Sequence, residues 1–245
     1  GQFEMLYQPI VDLVTGRVRK AEALIRWHHP LRGLVSPGEF IAIAEENGLI
    51  GGISDWVFRE VAAQAVRWCS RYDAGFQISI NVSPVLFQSK ADYSDWFGEL
   101  ERLGLPGNAL VIEITEGVLL VSSRHVMEQL AEFHRRGMEI ALDDFGTGYA
   151  SLSYLKKFDI DYLKIDQAFV RNVENEPKDM ALCETMIVMA HKMDMRVIAE
   201  GVQNGEQKRL LANAGCDFGQ GYLFAKPLSA SEFEVWLEND GRNIS

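Results

Sequence analysis

The strongest constraint in this chain is the repeated alternation of short, β-rich apolar runs with amphipathic helical stretches. Eight runs recur: residues 3–12 (FEMLYQPIVD), 17–27 (RVRKAEALIRW), 77–83 (QISINVS), 109–116 (ALVIEITE), 138–145 (MEIALDDF), 161–170 (DYLKIDQAFV), 196–202 (RVIAEGV) and 218–227 (FGQGYLFAKP). Stretches between them, such as DWVFREVAAQAVRWCSRY, HVMEQLAEFHRRG and GEQKRLLANAG, carry apolar residues at three- and four-residue steps, as helices packed on a sheet do. Gly137 and Gly215 fall where helix C-terminal stops are expected. Only LVTG separates the first two runs, which suits an antiparallel hairpin. The remaining runs alternate with helices and predict a mostly parallel sheet. Eight strands in 245 residues fit an α/β fold of the closed (β/α)8 barrel type, with the first strand antiparallel; an open doubly wound sheet is the fallback. No linker or low-complexity segment divides residues 1–245, so they read as one domain. The abrupt start in a strand pattern suggests a domain cut from a longer protein.

The ends of the predicted strands carry the chemistry: Glu22, Asn81, Glu113 with Glu116, Asp143 with Asp144, Lys164 with Asp166, Glu200 and Gln220. Parallel barrel strands deliver these ends to one rim, where the active sites of such folds lie. The two-residue period puts Glu22, Leu24 and Arg26 on one face, and Lys164 and Asp166 on another. Taken singly, each residue is explained by a helix cap, a turn or a surface ion pair. Five or more carboxylates converging on one rim are different, because they repel and stay costly unless protonated or neutralised by cations. Oxygen donors without a His or Cys cluster select hard ions such as Mg2+ or Mn2+.

Other signals narrow the field. His28, His29, His125, His134 and His191 have no metal-binding spacing and read as structural or surface residues. Cys69, Cys183 and Cys216, odd in number and far apart, read as reduced thiols in a cytoplasmic setting. A net charge of −11 without a basic tract argues against a groove for duplex nucleic acid. No apolar run approaches the roughly 18 residues of a membrane span. The turn GTGYAS nearly matches the dinucleotide fingerprint, but Ser151 replaces its third glycine. Asp143 and Asp144 would also aim negative charge at the pyrophosphate.

Seven stretches in order, YQPIVDLVTGRV, AEALIRWHHPLRGLVSPGEFIAIAEENGLI, INVSP, EITEGVL, ALDDFGTGYASLSYLKKFDIDYLKID, VIAEGV and GQGYLFAKPL, run from residue 7 to 228. Together they resemble the EAL domain, the cyclic di-GMP-specific phosphodiesterase module of bacterial signalling proteins. The resemblance implies a TIM-like barrel with an antiparallel first strand that hydrolyses one phosphodiester of cyclic di-GMP, giving linear pGpG. By motif, Glu22, Asn81, Glu113 and Asp143 resemble ligands of one metal; Asp143 would bridge to a second, also held by Asp144 and Glu200. Lys164 resembles the residue that binds the attacking water, with Asp166 beside it. Gln8, Leu24, Arg26, Asn81, Gln220 and Pro227 resemble substrate contacts, Arg26 to a phosphate. Glu116 resembles a tether for the loop after the paired aspartates. The family also implies a homodimer and an upstream regulatory domain. Lys20 stands where glycine is common and Ala150 where serine is; no ligand-matching position is substituted.

Two other readings compete. A non-catalytic cyclic di-GMP receptor would usually lack one or more ligands, and none is missing. A Mg2+ barrel enzyme of the enolase type, with Lys164 abstracting a proton, would need a capping domain for which the chain has no length.

Overall fold

The computed structural model of the chain describes residues 1–89, 91–120, 123–146, 148 and 155–239. Eight strands close a barrel: β1 (Phe3–Asp12), β2 (Val18–His29), β4 (Gln77–Asn81), β5 (Leu110–Thr115), β6 (Glu139–Phe145), β7 (Tyr162–Ile165), β8 (Arg196–Ala199) and β9 (Phe218–Gln220). β1 is antiparallel to both β2 and β9 and closes the ring, while β2, β4 and each later strand pair in parallel. The predicted hairpin sits at residues 13–17, where Asp12 Oδ1 accepts the Val14 and Thr15 N–H groups at 3.0 and 2.7 Å.

Two short strands extend the sheet outside the barrel: β3 (Gly33–Val35) on β2 and β10 (Leu228–Ser229) on β1. Three residues and two residues are too short to show a two-residue period. Two predicted runs end five or more residues early. Residues 161–170 stop as a strand at Ile165, because Asp166 Oδ1 accepts the Ala168 N–H at 2.8 Å and caps a short helix, Gln167–Val170. Residues 218–227 leave the sheet after Gln220, where Gly221 packs so closely on the Val202 backbone that any Cβ would collide with it.

Helices coat the barrel as their apolar spacing requires. Helix Ile50–Arg71 buries Val57, Phe58, Val61, Ala62, Ala65 and Trp68. Trp68 stacks on Phe233 of the helix Ala230–Asn239, ring centroids 4.6 Å apart, joining the last helix to the barrel wall. Gly137 and Gly215, at φ of 82° and 90°, terminate the helices Arg124–Arg135 and Gly205–Asn213 in the left-handed conformation glycine tolerates.

One device recurs at the strand starts. Asp161 Oδ2 accepts the Ile140 N–H of β6 at 2.7 Å and pairs with His134 Nε2 at 2.9 Å. Asp217 Oδ2 does the same for Val197 of β8 and His191, both at 2.8 Å. These histidines are clamps between helix and sheet.

Inside the barrel the two-residue period stacks side chains in tiers. Ile10, Val111, Ala141, Tyr162 and Ile198, with Phe218 against them, form a dry middle. Two residues further along their strands, Val111 gives way to Glu113, Ala141 to Asp143, Tyr162 to Lys164, Ile198 to Glu200 and Phe218 to Gln220. At the opposite end Lys20, Gln77, Glu139 and Arg196 form the floor. There Tyr162 Oη donates to Glu139 at 2.7 Å, Arg196 pairs with Glu139 at 3.0 Å, and Lys20 Nζ donates to Gln77 and Tyr162. An apolar layer thus separates two polar ends, and the rim end holds the acids.

Candidate active site

Lys164 is fully buried at the centre of the rim, on β7. Its Nζ lies 2.8 Å from Glu113 Oε2, 2.8 Å from Glu200 Oε1, 3.0 Å from Asp143 Oδ1 and 3.5 Å from Glu22 Oε2. Each comes from a different strand or its end, as the parallel barrel dictates. Asn81 Nδ2 donates to Glu22 Oε1 at 2.8 Å, and Gln220 Nε2 donates to Glu22 Oε2 at 2.6 Å. Gln220 also reaches Gln8 at 3.1 Å, and Gln8 donates to the Ala225 carbonyl at 3.0 Å. The rim is therefore one connected polar network.

Its electrostatics are lopsided, since four carboxylates face one ammonium. Burial alone would lower the Lys164 pKa, but Glu113, Glu200, Glu22 and Asp143 reverse that and hold it well above the usual lysine range. Burial, then Glu22, pushes Glu113 well above the usual carboxylate range against the pull of Lys164. Burial pushes Glu200 up to about 7, with Lys164 opposing and Asp143 and Glu22 adding to the rise. Glu22 falls, because Lys164, Gln220 and Asn81 together outweigh its burial. The cluster holds more negative charge than its lysine can match.

Asp144 follows Asp143 in the left-handed region, φ 54°, an uncommon conformation for a residue with a Cβ. Its N–H donates to Asp143 Oδ1 at 3.0 Å. Burial, then Asp143, then Asp166 raise its pKa, with a hydrogen bond linking the Asp144 and Asp166 carboxyls. Oxygens of Asp143, Asp144 and Glu200 lie within 4.8 Å of one another. Glu113 Oε1 and Gln220 Oε1 are buried without a hydrogen-bond partner. Such a donor set, all oxygen, with excess negative charge and unused lone pairs, fits hard divalent cations. The residues present suit the metals that the sequence implied.

Glu116 stands apart from this ring. It is buried at the start of the helix Glu116–Leu120, and its Oε1 accepts the Gly146 N–H at 2.6 Å. A Cβ on Gly148 would collide with its other oxygen, so Gly148 lies directly on this carboxylate. Thr147 and residues 149–154, including Ala150 and Ser151, lie outside the described residues.

A cleft of about 310 Å3 opens over the ring, lined by Gln8, Glu22, Leu24, Asp143, Glu200 and Gln220. Gln167, Gln203 and the exposed Tyr222 line it too and were not singled out in the sequence, Gln167 and Tyr222 lying where two predicted runs have already left the sheet. Arg26 lies in an adjoining, mostly apolar cleft that shares Leu24, its guanidinium donating to the Ile25 carbonyl at 2.9 Å. Pro227, partly buried just before β10, lines neither cleft.

The profile of the EAL domain family matches residues 1–227. The chain is 39% identical over 239 residues to the cyclic di-GMP phosphodiesterase PA2567 of Pseudomonas aeruginosa, covering 96% of this chain and 40% of that protein. It is 35% identical over 237 residues to the cyclic di-GMP phosphodiesterase PdeR of Escherichia coli, covering 97% of this chain and 36% of that protein. The chain thus spans well under half the length of these relatives. Among solved structures, the PaMucR phosphodiesterase in complex with c-di-GMP superposes with a TM-score of 0.89 at 33% identity, over 95% of this chain and 94% of that one. In sequence and in fold, the chain belongs to the EAL domain family.

Proposed function

We propose that this domain hydrolyses cyclic di-GMP to linear pGpG with the help of two divalent cations, Mg2+ or Mn2+. The observation that carries the reading is the ring of four carboxylates around the buried Lys164. Relatives named cyclic di-GMP phosphodiesterases support the substrate. Glu22, Asn81, Glu113 and Asp143 would hold one ion, and Asp143, Asp144 and Glu200 the other. Bound there, divalent cations supply positive charge at the phosphoryl oxygens and acidify water.

The protein's own groups do the rest. Lys164, the central N–H donor, orients the attacking water, and Glu200 beside it helps fix that geometry. Water oxygen adds to phosphorus, the bond from phosphorus to the 3′ oxygen breaks, and the proton lost by water is balanced by the one gained at the 3′ oxygen. The product therefore ends in a 5′-phosphate. Asp166 acts on this site through Asp144, as a positioning residue. Gln220 and Gln8 order the rim around Glu22, Arg26 meets a phosphate, Leu24 and Pro227 contact the nucleotide, and Tyr222 offers a ring for a guanine to stack on.

The domain is expected to work in the cytoplasm as a homodimer, within a longer protein carrying an upstream regulatory domain. No described helix is long and apolar enough to cross a membrane, and its three cysteines are unpaired. Titration with Mn2+ followed by paramagnetic resonance tests the site directly. Saturable binding should fall from two ions to one in Glu22→Gln, with turnover down by at least about 100-fold, since even outer partners of metal ligands are worth roughly 10- to 100-fold. Wild-type turnover by this variant would overturn the assignment.

A further inference from the structure

The face of the barrel opposite the carboxylate ring carries its own cleft, of about 330 Å3, lined by Arg17, Arg19, Lys20, Gln77 and Arg196. Four cationic side chains converge there in a chain whose net charge is −11. Its acidic neighbours are largely occupied. Asp12 also lines the cleft, but its Oδ1 accepts two N–H groups of the β1–β2 turn. Asp73 pairs with Arg19 at 2.9 Å and Glu139 with Arg196 at 3.0 Å.

Arg17 and Lys20 differ from the other two. Among the described residues neither has a carboxylate within 4.0 Å. Arg17 is exposed, whereas Lys20 is only 8% exposed. The Lys20 Nζ donates to Gln77 Oε1 and, at 2.6 Å, to Tyr162 Oη, and lies 4.4 Å from the Tyr162 ring centroid. An ammonium has three donors, and two neutral oxygens use two of them. Burial, then Arg196, pulls the Lys20 pKa down to about 7 against the opposing Glu139 and Asp161, so an anion in the cleft would favour its charged form. Barrel floors are ordinarily packed for stability, and an apolar residue beside Ile10 and Phe218 would serve that purpose.

We propose that this cleft binds a phosphate-type oxyanion, held by the Arg17, Arg19 and Arg196 guanidiniums with the Lys20 ammonium at its base. Guanidiniums present paired N–H donors matched to such an anion, and the lysine adds a point charge from below. Arg17 and Arg19 arrive from the β1–β2 turn and the start of β2, and Arg196 from the start of β8.

Phosphorus NMR of inorganic phosphate, titrated with the whole domain in EDTA, tests this without any contribution from metals at the rim. Wild type should give saturable line broadening that sulfate competes away. Arg17→Gln, a surface change, and Lys20→Met should each weaken it about ten-fold or more, as expected for a lost charged hydrogen bond. A parallel titration with 5′-GMP separates the sources: binding that is tighter than that of inorganic phosphate and is lost in Arg17→Gln assigns a nucleotide phosphate, equal binding the free anion. Absence of saturable binding, or wild-type binding in the folded Arg17→Gln variant, would overturn the proposal. Neither result bears on hydrolysis at the rim.

Discussion

At the scale of single residues, a lysine sealed in a barrel core is tolerated here because three carboxylates lie within 3.0 Å of its ammonium and a fourth within 3.5 Å. Removing it should strand those acids. Breaking a buried charge network from one side costs about 3–5 kcal/mol, so Lys164→Met should melt well below wild type in EDTA. Added Mn2+ should restore much of the loss, because an ion that binds only the folded state stabilises it. Equal melting temperatures in EDTA would show that the ring does not need its lysine. The sequence made this cluster legible, since each member ends a strand and the two-residue period carries it past the apolar tier. It was silent on Gln167, Gln203 and Tyr222, whose places in the cleft come from tertiary approach and not from any strand period.

At the scale of elements, the loop after the paired aspartates and the histidine clamps make separate predictions. Glu116 receives the Gly146 N–H and lies against Gly148, so it fixes the chain just beyond Asp144. Glu116→Ala should keep the barrel folded by circular dichroism yet lower turnover by on the order of 100-fold, the scale expected for a displacement of about 1 Å. An unchanged enzyme would sink the tether. His134 behaves differently. Its hydrogen bond to Asp161 raises its pKa above the ordinary 6.5, against the opposing effect of burial. The folded state therefore holds the proton more tightly, and the clamp's contribution is complete below 6.5 and lost as pH rises through the raised value. Thermal melts between about pH 5.5 and 8.5 should fall less steeply for His134→Gln than for wild type. Parallel slopes would remove the clamp from the account. The sequence marked both histidines as structural because no metal spacing surrounds them; their aspartate partners, 26 and 27 residues away, had no local signal.

At the scale of the whole molecule, eight alternating strands and helices favoured a closed barrel over an open doubly wound sheet, and the four-residue spacer LVTG pointed to its antiparallel first strand. The added strands β3 and β10 were not legible, being three and two residues long. Nor was the floor: Lys20 and Glu22 lie on one face of one strand, yet one ends among neutral oxygens and the other among acids. That difference is set by neighbouring strands, through Gln77 and Tyr162 below and Lys164 above. The barrel thus separates a cationic end from an acidic one across a single apolar tier. Catalysis is assigned to the acidic end, and one measurement tests this most directly. Wild-type domain is incubated with cyclic di-GMP and Mg2+ or Mn2+, and the nucleotides are resolved by chromatography. The account predicts conversion to pGpG that stops in EDTA and is absent in Glu22→Gln. Tight binding of cyclic di-GMP that leaves it intact with either metal would contradict it.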